Sequence, residues 1–301
     1  MISKNDTILV TGCGGMLGEA VYGLFKDKAR VVATDIDLNE PWLSYLDVSR
    51  PDQVDKTLAD IKPNIVIHLA ALTDMEYCEQ NAAEAMRTNS DGVMNFIPYV
   101  EKNLIPFVYI STAGIFDGRK DRYHEGDRPA PKSIYGASKY AGELLARTAS
   151  KHIVVRAGWM VGGGPNKDKK FINKIVKQLR AGTTDIAAVD DKFGAPCYTH
   201  DLAGILLYLL DTESYGLYHG VCDGDGSRYD IAKALIEMVG YDRRGVHVRK
   251  VASDFFQRDY FAPRPTSEVL TNDKIKRLNP RLVRDWHVCL KEYVAKHQWG
   301  L

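Results

Sequence analysis

A chain of 301 residues, 45% hydrophobic and 26% charged, carries enough apolar material for one large domain or two modest ones with a sizeable core. Its formal net charge of +1 creates no field that favours nucleic acid or an anionic membrane. The longest strongly apolar run, Ile205 to Leu210, is far too short to span a bilayer.

The first half alternates strand-like and helix-like segments. Ile8 to Thr11 reads as a buried strand, followed by a glycine loop and a helix near Glu19 to Phe25. Arg30 to Asp35 reads as a second strand. Pro51 to Ile61 has helical spacing, with Val54, Leu58 and Ile61 on one face and proline at its start. Asn64 to Leu69 is a third strand, and Glu76 to Asn103 is mostly helical, with Pro98 as a kink or break. Pro106 to Ser111 and Ile153 to Arg156 read as further strands flanking a helix from Tyr135 to Ser150.

Val/Ile-rich strands without polar alternation imply burial on both faces, as in a parallel sheet covered by helices. The expected fold is α/β, a Rossmann-type doubly wound parallel sheet. The expected domains are residues 1–160, which carry most of the sheet, and a smaller substrate-binding part over 161–301, interleaved with late sheet elements. That second part holds a basic helix, Lys167 to Arg180, and a strand-helix stretch to Leu210.

Gly12, Gly15 and Gly18 form G-x-x-G-x-x-G after the first strand, with Met16 and Leu17 opening the helix. Small residues there permit a tight turn and close approach of a pyrophosphate, which the helix N-terminus holds with its free N–H groups. The second strand ends at Asp35, near the distance expected of a carboxylate that grips the adenosine ribose hydroxyls. A carboxylate repels a 2′-phosphate, so NAD(H) is favoured over NADP(H). Asp47 and Val48 are candidates for the adenine side, with a turn or cap as the other reading of Asp47.

Tyr135-Gly136-Ala137-Ser138-Lys139 is Y-x-x-x-K on one helical face. A phenol titrates near 10, and a neighbouring ammonium favours the phenolate, so the pair suits proton exchange with an alkoxide. Ser111 and Thr112 end the preceding strand, where ligands bind in open α/β sheets. Thr112, before Ser111, is the preferred hydroxyl to orient a substrate carbonyl. Five scattered cysteines without a C-x-x-C pair, and eight histidines without metal-ligand spacing, point to reduced thiols in a cytoplasmic protein and to no metal. The N-terminal residues lack the apolar stretch of a secretory signal. His68 reads as a packed core residue, and Tyr140 as packing. The run Lys167-Asp168-Lys169-Lys170 with Lys174 and Lys177 reads foremost as a solvated helix face, with a pyrophosphate contact as the alternative.

These motifs are joined by His68 to Thr73, Ile115 to Gly118, Ala141 to Glu143, Arg156 to Trp159, Val189 to Pro196, Asp201 to Ala203 and Arg264 to Ser267. Over nearly the whole chain they resemble the extended short-chain dehydrogenase/reductase superfamily and, within it, the dTDP-4-dehydrorhamnose reductase family. The resemblance implies reduction of a 4-keto nucleotide sugar to a deoxysugar nucleotide, with Thr112, Tyr135 and Lys139 as the catalytic set. It implies that Leu69, Ala70, Ala71 and Thr73 line the cofactor and that Trp159 contacts the sugar; core packing is the other reading of Trp159. Arg264 is a substrate contact or a solvated loop charge. A homodimer is implied as well. The family usually has Asp then Tyr after Ser-Thr, the Asp touching the sugar, where this chain has Ala113 and Gly114. At this substrate-binding position the exchange is expected to enlarge the pocket and remove an anchor. Two alternatives remain: a nucleotide-sugar epimerase on the same scaffold, and a non-catalytic regulatory subunit like one branch of the family. A 4,6-dehydratase is disfavoured, since Ala113 and Gly114 supply no acid/base pair.

Overall fold

A computed structural model describes residues 1–301. The strands in chain order are β1 (Thr7–Thr11), β2 (Arg30–Asp35), β3 (Leu43–Tyr45), β4 (Ile65–His68), β5 (Phe107–Thr112), β6 (His152–Ala157), β7 (Trp159–Val161), β8 (Asp185–Val189), β9 (Phe193–Gly194), β10 (Pro196–Tyr198), β11 (Gly216–His219), β12 (Gly226–Ser227), β13 (His247–Val251) and β14 (Ser267–Glu268). The helices are α1 (Met16–Phe25), α2 (Pro51–Ile61), α3 (Met75–Gln80), α4 (Ala82–Met86), α5 (Gly92–Met94), α6 (Ile97–Lys102), α7 (Ile134–Ala146), α8 (Gly164–Lys167), α9 (Phe171–Arg180), α10 (Thr199–Asp211), α11 (Arg228–Met238), α12 (Asp273–Leu278) and α13 (Trp286–Lys296).

Seven strands form one parallel sheet in the order β11-β6-β5-β4-β1-β2-β3. Alternate residues feed two cores. Ile8, Val10, Ile65, Ile67, Val108 and Ile110 face one side, which α1 and α10 cover. Leu9, Val66, Phe107, Tyr109 and Val154 face the other, against Val54 and Leu58 of α2. Burial on both faces is why these strands are apolar throughout. The strand order reverses between β1 and β4, and the crevice at such a switch point is where open sheets bind ligands. A third core lies wholly within residues 161–299 and joins α9, α11 and α13 to β8. The small strands β12, β9 and β14 pair with one another beside it.

Several elements depart from the sequence reading. Helix α1 begins at Met16, because the glycine loop itself leads into the helix. The stretch from Glu76 to Asn103 is no single helix. Asn81 leaves helical geometry, a π-helical turn spans Arg87–Asp91, and Pro98 sits in the first turn of α6, where its missing N–H costs nothing. Helix α7 ends at Ala146, beyond which Thr148 and Ala149 bond back only three residues. The basic helix splits into α8 and α9 around the buried Asp168, whose carboxylate accepts from Lys170 N at 2.7 Å and from the Tyr293 hydroxyl at 3.0 Å. Strands β3 and β11 were not read as strands, the one only three residues long and the other Gly-Leu-Tyr-His. No helix is long and apolar enough to cross a membrane, and all five cysteines are free and buried.

Candidate active site

A single cleft of about 1560 Å³ opens at the switch point. Its floor is the glycine loop. Gly12 has φ +66°, and a Cβ there would lie 2.4 Å from the Ala70 backbone nitrogen. A Cβ on Gly18 would lie 2.2 Å from the Cys13 carbonyl, so glycine lets α1 close on the loop. Gly15 caps α1 without any side-chain bond, leaving the helix N-terminus open to the cleft. Gly12, Gly15, Met16, Leu17 and Gly18 all line it, and this cradle fits a dinucleotide pyrophosphate.

Asp35, the last residue of β2, stands at the same cleft. Its carboxylate is fixed by Gly14 N at 2.8 Å and Asp37 N at 3.0 Å. Asp47 and Val48 line the wall beyond it. The Asp47 carboxylate also makes a turn, accepting from Ser49 N at 2.9 Å and from the Ser49 hydroxyl at 2.7 Å. On the opposite wall lie Leu69, Ala70, Ala71 and Thr73, where the chain leaves β4.

Thr112 ends β5 at the cleft, and its hydroxyl accepts from Gly114 N at 3.1 Å. Ser133 caps α7 by accepting from Gly136 N at 3.1 Å, which puts Tyr135 in the first turn. A Cβ on Gly136 would meet the Gly114 carbonyl at 2.4 Å, so glycine brings this turn against the end of β5. Tyr135 and Thr112 both line the cleft, near enough for the Thr112 hydroxyl to act on the phenol. Ser111 also lines the cleft, buried and with an unpartnered hydroxyl.

The electrostatics differ from expectation. Burial pushes the Tyr135 phenol up to about 12, Glu268 and Cys78 add to this, and only the nearby Thr112 hydroxyl opposes it. Lys139, itself buried, drops to about 7, with Glu143 opposing. The ammonium therefore does not produce a low phenol pKa. Desolvation outweighs it, and Tyr135 keeps its proton through the neutral range.

Two residues behind this pair escaped the sequence reading. Asn89, in the π-helical turn, is fully buried. Its amide accepts from Leu72 N at 2.8 Å and donates to Leu72 O and to the Ser138 hydroxyl, both at 3.0 Å. It ties α7 to the cofactor-side wall. Glu143, one turn after Lys139, forms a buried pair with Arg156 at 2.6 and 3.0 Å.

The far end of the cleft holds Trp159 and Arg264. The indole lies over Gly194, where a Cβ would meet the ring at 2.4 Å, and its Nε1 donates to Glu268 Oε2 at 2.7 Å. Trp159 is thus a cleft residue as well as a packed one. Arg264 is no free loop charge, since it pairs with Glu76 at 2.8 Å. Ala113 does not belong to the site. It is buried in the core under the cleft, because the turn after Thr112 aims it inward. Nor is the space beside Gly114 simply enlarged, for a Cβ there would lie 3.4 Å from Glu268 Oε1. Glu268 and Arg228, whose guanidinium stacks 3.8 Å over Trp159, were both missed. The pairing of β9 with β14 and β12 brings them together from distant sequence.

Lys169, Lys170, Lys174 and Lys177 are exposed, as a solvated face requires. Lys167 pairs with Glu40 at 3.0 Å with its side chain buried, Lys170 donates to Thr73 O at 3.3 Å, and both border the cleft. His68 is core, held at 3.0 Å from the Thr11 hydroxyl and pushed down to about 3 by burial. Tyr140 packs against the main core.

Comparison with known proteins gives the family. The family model described as RmlD substrate binding domain matches residues 6–299. The chain belongs to this family. It is 30% identical to the dTDP-4-dehydrorhamnose reductase of Aggregatibacter actinomycetemcomitans, covering 96% of this chain and 98% of that one. It is 31% identical to the spore coat polysaccharide biosynthesis protein SpsK of Bacillus subtilis, over 96% and 97%. Among solved structures, the dTDP-4-dehydrorhamnose reductase of Yersinia enterocolitica matches at TM-score 0.86 and 32% identity, over 97% and 99%. The reductase of Bacillus anthracis in complex with NADP matches at 0.85 and 28%, over 97% and 99%.

Proposed function

We propose that this RmlD family member reduces the keto group of a 4-keto nucleotide sugar, with its relatives' names favouring a dTDP-linked substrate. The observation that carries this reading is that Thr112, Tyr135 and Lys139 line the same cleft as the glycine cradle.

A bound reduced nicotinamide supplies the hydride. Thr112 and Tyr135 present two hydroxyls to one carbonyl oxygen and orient it. Tyr135, protonated at neutral pH, delivers its proton to the alkoxide as the carbonyl is reduced. Lys139 stands four residues on, where its ammonium steadies the phenolate left behind and holds the ribose. The cradle of Gly12, Gly15 and Gly18 holds the pyrophosphate, and Asp35 receives the adenosine ribose. Asp35 and the exposed Asp37 carry negative charge where a 2′-phosphate would sit, which favours NADH over NADPH. The five free buried thiols support a reducing, cytoplasmic setting, and the resemblance supports a homodimer.

The test is NADH oxidation with a panel of 4-keto nucleotide sugars. Turnover is expected, and Tyr135→Phe abolishes it while NADH still binds. Full activity in Tyr135→Phe, or no turnover alongside a co-purifying partner protein, overturns the reading.

A further inference from the structure

Glu268 is a charged residue in the cleft that the chemistry above does not use. One of its oxygens is engaged: Oε2 accepts from the Trp159 indole at 2.7 Å. The other, Oε1, receives no hydrogen bond from the protein. It borders the cleft beside Tyr135, close enough for its charge to act on the phenol. Trp159 therefore fixes the carboxylate's direction and leaves one acceptor free.

Gly114 locates that acceptor relative to the reaction. A Cβ on Gly114 would lie 3.4 Å from Glu268 Oε1 and 3.5 Å from Thr112 Oγ1. The two oxygens are thus at most about 7 Å apart. Two hydrogen bonds of about 2.8 Å, joined by two oxygens on neighbouring ring carbons, bridge gaps up to this size. One of those oxygens is the carbonyl held by Thr112 and Tyr135.

The sign of the second group follows from the surroundings. Burial raises the Glu268 carboxyl, and Arg228, Arg264 and Lys192, which act the other way, already face it with positive charge. A neutral donor fits better than a second cation.

We infer that Glu268 is a specificity residue that accepts a hydrogen bond from a hydroxyl on the ring carbon next to the keto carbon. This rests on the reductase reading and narrows its substrate class to 4-keto sugars carrying that vicinal hydroxyl. A sugar lacking it leaves a half-buried carboxylate oxygen without water or partner, and sites built this way discriminate strongly.

The experiment compares two dTDP-linked 4-keto-6-deoxy sugars, one with the 3-hydroxyl and its 3-deoxy analogue, as substrates for the full-length wild type and for Glu268→Gln. The amide keeps the shape and an acceptor for Trp159 but turns a donor toward the sugar. The wild type is expected to favour the hydroxylated sugar by on the order of 100-fold or more in kcat/KM. Glu268→Gln is expected to bring the ratio below about tenfold, chiefly by losing turnover of the hydroxylated sugar. NADH affinity, unchanged, reports an intact fold. Glu268→Leu gives the same collapse without the new donor. Equal use of both sugars by the wild type, or an unchanged ratio in Glu268→Leu, overturns the inference and leaves the reductase reading standing. Turnover of neither sugar by the wild type overturns both.

Discussion

The Lys139 ammonium sits 4.1 Å from the centre of the Tyr109 ring, and the Tyr109 hydroxyl donates to the Lys139 backbone carbonyl at 3.1 Å. The working lysine is thus seated on an aromatic face in the interior, with no carboxylate at ion-pair distance. An aromatic face stabilises a desolvated cation by about 2 kcal/mol, which is less than burial takes away. That imbalance is why Lys139 titrates near 7.

The expected consequence is a pH dependence set by Lys139. Tyr135 holds its proton until about 12, so it is not what titrates near neutrality. Lys139 loses its charge as pH rises through about 7, and kcat/KM for NADH falls with it. Glu143 is the charge that raises Lys139, so Glu143→Gln moves the alkaline limb to lower pH. The same substitution breaks the buried pair with Arg156 and costs about 3–5 kcal/mol in stability. Rate profiles between pH 5.5 and 9 and urea unfolding check both. A flat profile would remove Lys139 from the ionising set.

Asp35 should decide the cofactor. Its carboxylate is anchored by two backbone N–H groups and cannot swing aside for a 2′-phosphate. Wild-type kcat/KM is expected to favour NADH over NADPH. Asp35→Ala narrows or inverts the ratio by about 1–3 kcal/mol, roughly 5- to 150-fold, mostly through KM. Steady-state kinetics with both cofactors measure it, and an unchanged ratio would show that Asp35 does not read the ribose.

The cofactor half of the cleft was legible because its determinants are local. Gly12 to Gly18, Asp35 and the Tyr135–Lys139 spacing lie within single loops or helical turns, and two-sided burial forces Val/Ile runs on β1, β4 and β5. The substrate half was not. Glu268 meets Trp159 across 109 residues of chain, and Arg228 reaches it through strands two residues long. Ala113 was misassigned because the direction of one side chain after Thr112 depends on a single short turn. The break in the lysine-rich helix was not legible, since Asp168, polar and yet buried, interrupts it.

Asn89 yields the last prediction. It is fully buried and has three bonds, two of them to the backbone of Leu72, next to the cofactor-lining Thr73. Alanine leaves the Leu72 N–H and C=O without these partners, and each orphaned buried group costs about 1–3 kcal/mol. Its third bond, to Ser138, holds the turn of α7 that carries Lys139. Asn89→Ala is therefore expected to lose about 2–4 kcal/mol of stability, to weaken NADH binding and to lower kcat. Asn89→Asp retains the acceptor for Leu72 N but has no donor for Leu72 O or Ser138, and it buries a charge, so it should do no better. Thermal unfolding with and without NADH distinguishes a linking role from plain core packing. If Asn89 links wall to helix, the variant binds NADH more weakly and gains less stability from it than the wild type does, so the gap widens when the cofactor is added. If it only fills space, wild type and variant gain equally from NADH.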